Sequence, residues 1–281
     1  GYTVAVANLD ILRSDGAAEK LTPAHVDFTV LFEDEYLAVI VKPAGVTVHP
    51  TPGSAKNNEP TLLHGILHRW PTIGPAIKAT IAQSKDDTTA TENADSSASV
   101  SQRPGIVHRL DRPTEGLMMI AKTAQMQWQL SRLFQKREVE KEYLAWLTNS
   151  PPEEHGTINQ PLMRHPVDRI RMMVHKDGRA ALTEYSIENY VVSRKGRKFT
   201  QVRVNLLTGR THQIRAHFAH LHCPVVGDDL YSASAKEFSR FGLLLLSRRL
   251  GFVHPVTGKK MSFEAEIPKR FIDFQEQCSN Y

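Results

Sequence analysis

GIVHRLDRPTEGLMMIAKT, residues 105–123, decides how this chain folds and where its chemistry sits. Arg112-Pro113-Thr114-Glu115-Gly116 is a turn-forming loop, because Pro fixes φ and Gly permits backbone conformations that other residues resist. His108, Arg109 and Asp111 precede that loop, and the apolar run 117–121 follows it at once and reads as a buried strand. One carboxylate, Asp111, is thus held between Arg109 and Arg112 at the head of a core strand. A surface ion pair would look the same in this segment alone, so matching chemistry must be sought elsewhere in the chain.

It is found in LLTGRTHQIRAHFAHLHCPVVGDDLYS, residues 206–232. This segment reads as the end of a strand over 201–207, a turn at Gly209, and a helix over 211–221. The N-terminal groups of that helix, with Arg210 and Arg215, face the site, and an exposed helix N-terminus attracts phosphate. His212, His217, His220, His222 and Cys223 crowd into a dozen positions and raise the alternative of a metal centre. The spacing is neither His-Glu-x-x-His nor a paired-cysteine ribbon, and no carboxylate lies among them before Asp228, so no metal site is expected.

GIVHRLDRPTEG resembles the catalytic motif of the RluA-type RNA pseudouridine synthases, roughly H-R-L-D-x-x-T-S-G. Five further blocks resemble the same family in the same order. FEDEYLAVIVKPAGVTVHP (32–50) resembles its opening strand and Lys-Pro-x-Gly turn, and KEYLA (141–145) its Lys-x-Tyr-x-Ala segment. GRAALTEY (178–185) resembles its strand entry, residues 206–218 its Gly-Arg-x-His-Gln-Ile-Arg block, and LLLLSRRLGFVHP (243–255) its C-terminal strand. Together they span 32–255, most of the chain.

The resemblance implies the pseudouridine synthase catalytic fold, of class α+β, with a mixed, mainly antiparallel central sheet and flanking helices. The residues agree. Runs at 37–41, 143–147, 183–192, 199–207, 243–253 and 260–267 read as strands, the last two joined by a turn at Pro255-Val256-Thr257-Gly258. A helix over 124–137 follows from Met126, Leu130 and Leu133 or Phe134 at helical spacing, and 268–277 reads as another. Strands in succession with few helices between them argue against a doubly wound parallel sheet. The expected organisation is an N-terminal extension (1–31), a catalytic domain (32–268) and a C-terminal helix or tail (269–281). SKDDTTATENADSSASVSQ (84–102) reads as a disordered insert, because it holds too little apolar surface to offset its ordering entropy.

The resemblance also implies roles. Asp111 is the catalytic carboxylate, which attacks or stabilises the carbon freed when the uridine C1′–N1 bond breaks. The sequence leaves open attack at C1′, attack on the base, or a glycal route. Tyr143 stacks on the flipped uracil and helps move its C5 proton. Arg215 pairs with Asp111, since an adjacent cation favours an ionised carboxylate. Arg109 holds the site open or fills the space left by the flipped base, Leu245 forms an apolar wall, and Arg210 and His212 contact RNA. Two departures stand out. Glu115 occupies a position where the family has a small Ser or Thr, placing an extra carboxylate near RNA phosphates. Leu246 and Ser247 replace its usual His-Ala.

Composition fits a polyanionic partner without naming one: 281 residues, 41% hydrophobic, net charge +5 and pI near 9.2. Arg194, Lys195, Arg197 and Lys198 join two strand-like runs, and Arg164, Arg169, Arg171, Lys176 and Arg179 populate the preceding loop, where they can meet phosphates. Two cysteines, Cys223 and Cys278, exclude a disulfide framework and point to a reducing compartment. No apolar run is long enough to span a bilayer. Gly-x-Gly-x-x-Gly, Walker-type and Gly-x-Ser-x-Gly motifs are absent, so the chemistry is expected from side chains alone, which suits the cofactor-free isomerase that the resemblance implies.

The function expected is conversion of uridine to pseudouridine in structured RNA, ribosomal RNA ahead of transfer RNA, by a monomer with ribosomal or assembly proteins as further partners. A catalytically idle RNA-binding or ribosome-assembly factor on the same fold is the alternative. The start at Gly1 and the eukaryote-like insert favour a processed mitochondrial protein over a cytoplasmic one.

Overall fold

The computed structural model describes residues 9–12, 18–50, 59–74, 103–194 and 196–280. The polar insert 84–102 and Lys195 lie outside the described residues. The chain divides into two compact units, and it passes from the second to the first at two points, after Leu117 and after Phe252.

In the first unit, β1 (Leu9–Leu12) pairs antiparallel with β2 (Ala18–Leu21), and β3 (Thr29–Glu33) with β4 (Leu37–Lys42). Helix α1 (Leu62–Arg69) follows, and β4 borders β5 (Glu115–Ala121), whose last four residues belong here. β5 is the apolar run expected from the sequence, and Leu117 to Ala121 are all fully buried. Helix α2 (Ala124–Lys136) starts where Thr123 Oγ1 accepts the Met126 N–H at 3.1 Å. It stops where Arg137 turns left-handed (φ 61°) and Glu138 N–H reaches the Leu133 carbonyl at 2.9 Å. The turn 254–259 belongs to this unit too. His254 Nδ1 accepts the N–H groups of Val256 and Thr257, and its Nε2 bonds Asp34 at 3.0 Å.

The second unit holds β6 (Glu140–Leu147), β7 (His155–Asn159), β8 (Leu162–Arg164), β9 (Met172–Val174), β10 (Leu182–Val192) and β11 (Lys198–Leu206). It continues with α3 (Gln213–His220), β12 (Leu245–Val253), β13 (Lys260–Glu264) and α4 (Lys269–Asn280). Its strand order is β5-β12-β6-β11-β10-β7, with β13 on β12 and a separate β8-β9 ribbon. The β5–β12 pair is parallel, and β12–β6, β6–β11, β11–β10 and β10–β7 are antiparallel, which gives the mixed, mainly antiparallel sheet expected. α4 closes this core. Phe274 sits with ring centroids 5.3–5.8 Å from Trp146, Phe199, Phe238 and Phe241.

β5 and β12 approach closely at one point that only glycine tolerates. A Cβ on Gly116, whose φ is 120°, would lie 2.3 Å from the Ser247 carbonyl oxygen. Gly116→Ala is expected to destabilise the protein by about 3 kcal/mol or more, because strain and backbone displacement add. Thermal unfolding checks this, and an unchanged midpoint would contradict so close an approach.

Candidate active site

The loop that carries Asp111 is fixed from several sides within the first unit. Gly105 (φ 79°) opens it, and a side chain there would strike the Ala121 carbonyl at 2.9 Å. Buried Gln127 accepts the Gly105 N–H at 3.0 Å and donates to the Arg103 and Ile106 carbonyls. His108 Nε2 accepts the Met119 N–H at 2.9 Å, so that nitrogen carries no proton. Its ring stacks on Phe134 at 4.5 Å. On the far side of Asp111, the Arg112 carbonyl accepts the Gly45 N–H at 2.8 Å and Nζ of fully buried Lys42 at 3.2 Å. Lys42 also binds the Pro43 and Val46 carbonyls, so one ammonium ties the loop after β4 to the loop after Leu110. Asp111 itself is half-buried and Arg109 is exposed.

Basic side chains gather near His49. It is buried, and its Nδ1 has no hydrogen-bond partner among the described residues. Burial, with Arg103 and Arg109, pushes its pKa down to about 3 from 6.5. Because the folded-state pKa is the lower one, the unfolded chain binds the proton first as pH falls. The contribution of His49 is therefore complete above about pH 6.5 and is lost as pH falls towards about 3. His49→Gln is expected to narrow the stability gap between pH 7 and pH 4 by on the order of 2 kcal/mol. Denaturant titrations at both values test it, and an unaltered gap would contradict a neutral, buried His49.

In the second unit, Tyr143 lies on β6 opposite Val204 of β11 and Ser247 of β12. Leu245 lies opposite Ala145. Facing residues of an antiparallel pair, and residues two apart on one strand, share a face. Tyr143 and Leu245 are therefore diagonal neighbours on one face of the sheet, both buried. The departures from the family pattern are accommodated. Ser247 Oγ donates to the Leu117 carbonyl at 3.3 Å, and the Glu115 carboxylate accepts from Arg270 Nε at 3.1 Å with Nη2 at 3.0 Å. The extra carboxylate expected from the sequence thus has a matching cation.

Arg215 is 1% exposed on α3. Its Nε and Nη2 form a fork on Asp228 at 2.8 and 2.7 Å, and Nη2 also reaches Asp229 at 3.3 Å. Asp228 is fully buried and accepts the N–H groups of Leu230 and Tyr231 as well. Gln213 staples the start of α3 to β10. It accepts from Thr208 Oγ1 and Arg210 N, and donates to Leu182 O and Thr183 Oγ1 at 2.9–3.0 Å. The helix begins at Gln213, two residues later than expected, because His212 takes a left-handed conformation (φ 52°). His212 Nδ1 bonds Tyr231 Oη at 3.1 Å, and Arg210 Nε donates to the Ala180 carbonyl. His217 has both ring nitrogens committed, to Thr183 Oγ1 and Gln160 O, and burial lowers its pKa.

The basic hairpin tip does not join this group. Lys198 begins β11 and Arg210 follows its other end, a strand length of about 27 Å away. Within the tip Arg197 is already engaged. It pairs with Glu237 at 2.7 Å, bonds Ser234 and lies over the Phe199 and Phe238 rings. Lys198 Nζ lies 3.7 Å from the Tyr190 ring centre, and Arg194 is exposed. Both cysteines are free and buried, and burial pushes Cys223 up to about 12 and Cys278 to about 11, so neither offers a thiolate near neutral pH.

Asp228, Tyr231 and Gln213 escape the sequence reading. A signal for Asp228 was present: an inward-facing arginine on a short helix needs a buried carboxylate, and Asp228 and Asp229 are the next acidic residues in the chain.

A family model described as RNA pseudouridylate synthase matches residues 36–220. The chain is 37% identical over 257 residues to an uncharacterized RNA pseudouridine synthase of Aquifex aeolicus, covering 89% of this chain and 72% of that protein. It is 33% identical over 271 residues to ribosomal large subunit pseudouridine synthase D of Pasteurella multocida, covering 92% and 72%. The solved structure of human RNA pseudouridylate synthase domain containing 1 shares the fold. Its TM-score is 0.65 at 22% identity, over 90% of this chain and 87% of that one.

Proposed function

The chain belongs to the RNA pseudouridylate synthase family of isomerases, and from that premise we propose that it converts uridine to pseudouridine in ribosomal RNA through Asp111. The observation that carries the reading is the match across 36–220, which includes Asp111, Tyr143 and Arg215. The similarity to a ribosomal large subunit enzyme over most of the chain directs the choice of substrate.

In this reading Asp111 supplies the carboxylate for cleavage of the C1′–N1 bond, attacking or stabilising the carbon as positive character develops. Tyr143 offers the uracil a ring to stack on and a hydroxyl to help move the C5 proton, with Leu245 beside it as apolar wall. Arg215 supplies the counter-charge to Asp111, and Arg109 fills the space left when the base is extruded. Arg210 and His212 contact RNA at the start of α3, and the basic positions at 164–179, with Arg194, Lys195 and Lys198, meet phosphates without reading sequence. Joining C1′ to C5 displaces the C5 hydrogen, so purified protein should release tritium from large-subunit ribosomal RNA carrying [5-³H]uridine. Release from transfer RNA alone would overturn the substrate choice, and release from neither would overturn the activity.

A further inference from the structure

Tyr231 lies where three parts of the second unit meet. Its hydroxyl oxygen accepts the N–H of Met172, the first residue of β9, at 2.7 Å and bonds His212 Nδ1 at 3.1 Å. Its ring lies under two guanidinium groups, with Arg171 Cζ 5.1 Å and Arg215 Cζ 5.4 Å from the centroid. Its own N–H is bonded to Asp228, the carboxylate that forks Arg215. Gly227 lets this turn run close to the chain at Gly242, since a Cβ there would fall 1.9 Å from the Gly242 carbonyl. The phenol is therefore fixed at its backbone and at its hydroxyl, and it bridges the β8–β9 ribbon to the helix that carries Arg215.

The ribbon it holds has the character of a docking element. Its tip, residues 165–171, is bonded to itself: His165 Nδ1 accepts the Asp168 N–H at 3.0 Å, Asp168 accepts the Ile170 N–H, and Arg171 N–H reaches the Asp168 carbonyl. This built tip leaves Val167 86% and Ile170 67% exposed, among Arg164, Arg169 and Arg171. Arg171 as a whole is partly exposed; its Nε is buried and without a hydrogen-bond partner among the described residues, while its guanidinium lies over the Tyr231 ring. A guanidinium seated on an aromatic ring with part of its surface open can meet an anionic oxygen.

We propose that Tyr231 is a positioning residue that couples the β8–β9 ribbon to Arg215, so that an RNA phosphate held by Arg171 is set in register with the guanidinium used in the reaction. This rests on the reading of the chain as an RNA isomerase. The two parts of the side chain have separable work. The hydroxyl ties the ribbon down, which sets RNA affinity, and the ring supports Arg215, which sets the rate of the chemical step.

The test uses the full chain, a large-subunit RNA fragment, RNA dissociation constants, and single-turnover tritium release at saturating protein. Tyr231→Phe removes only the hydroxyl bonds and is expected to weaken RNA binding about 3- to 10-fold, with a smaller effect on rate. Tyr231→Leu also removes the ring and is expected to slow the step by about 10-fold or more, beyond its effect on binding. Arg171→Met should weaken binding as Tyr231→Phe does. The double variant Tyr231→Phe/Arg171→Met should fall short of the product of the two losses, because the two groups act through one contact. A purely structural Tyr231 would lower the melting temperature and leave both constants of the folded protein alone, which would overturn the proposal. Multiplicative losses in the double variant would do the same. If the parent protein releases no tritium, the reading as an isomerase fails instead, and the binding measurements alone decide the coupling.

Discussion

Asp111→Asn should leave no measurable isomerisation, a loss of about 10⁴-fold or more, while the melting temperature and RNA affinity stay close to those of the parent. Asparagine keeps the volume of aspartate and removes its charge. The loop around it is held by groups the substitution does not touch: Lys42 and Gly45 on the Arg112 carbonyl, Gln127 on Gly105, and His108 on Met119. The backbone has no reason to move, so a lost rate reports lost chemistry. Substantial turnover by this variant would remove Asp111 from the mechanism.

Arg215→Met should damage both activity and stability. Removing the cation leaves Asp228, fully buried, without the fork at 2.8 and 2.7 Å, and breaking a buried pair costs about 3–5 kcal/mol. The single-turnover rate should fall about 100-fold or more if Arg215 is the counter-charge to Asp111. A second substitution separates the two effects. Arg215→Met/Asp228→Leu replaces the whole pair with apolar groups, so it should regain most of the stability and none of the activity. A double variant as unstable as the single one would locate the instability elsewhere. An active Arg215→Met would pass the role to another cation, Arg210 first.

The elements legible in the sequence are those with a strong local signal. β5 carries five consecutive apolar residues behind a Pro-Gly loop, and α2 has Met126, Leu130 and Leu133 or Phe134 at helical spacing. The β10–β11 hairpin and the β12–β13 turn were likewise marked by strand-like runs and the residues that join them. Elements held by tertiary contacts were not. β8 and β9 have three residues each, too few for a period to show. α1 carries Gly65 mid-helix, a poor helix former needed there because a Cβ would lie 2.7 Å from Val26 Cβ.

The site divides along the same line. Asp111, Tyr143 and Arg215 were singled out by motif, and the sheet register brings Tyr143 and Leu245 onto one face. The groups that hold Arg215 were not foreseen, because Asp228 and Tyr231 act through contacts made 13 and 16 residues away along the chain. Arg197 shows the converse. It counted as one of four phosphate binders in a basic run, yet its guanidinium is held by Glu237 and Ser234 and lies over two phenylalanine rings. Charge in a sequence does not reveal which cations are already paired.

The proposed activity is the making of pseudouridine in ribosomal RNA through Asp111. Pseudouridine mapping of ribosomal RNA tests it, in cells that carry the gene, lack it, or carry only Asp111→Asn. One or a few large-subunit positions should lose pseudouridine in the absence of the protein and equally with Asp111→Asn. Full modification at every position in all three lines would contradict it, and would leave a protein that binds RNA on this fold without isomerising it.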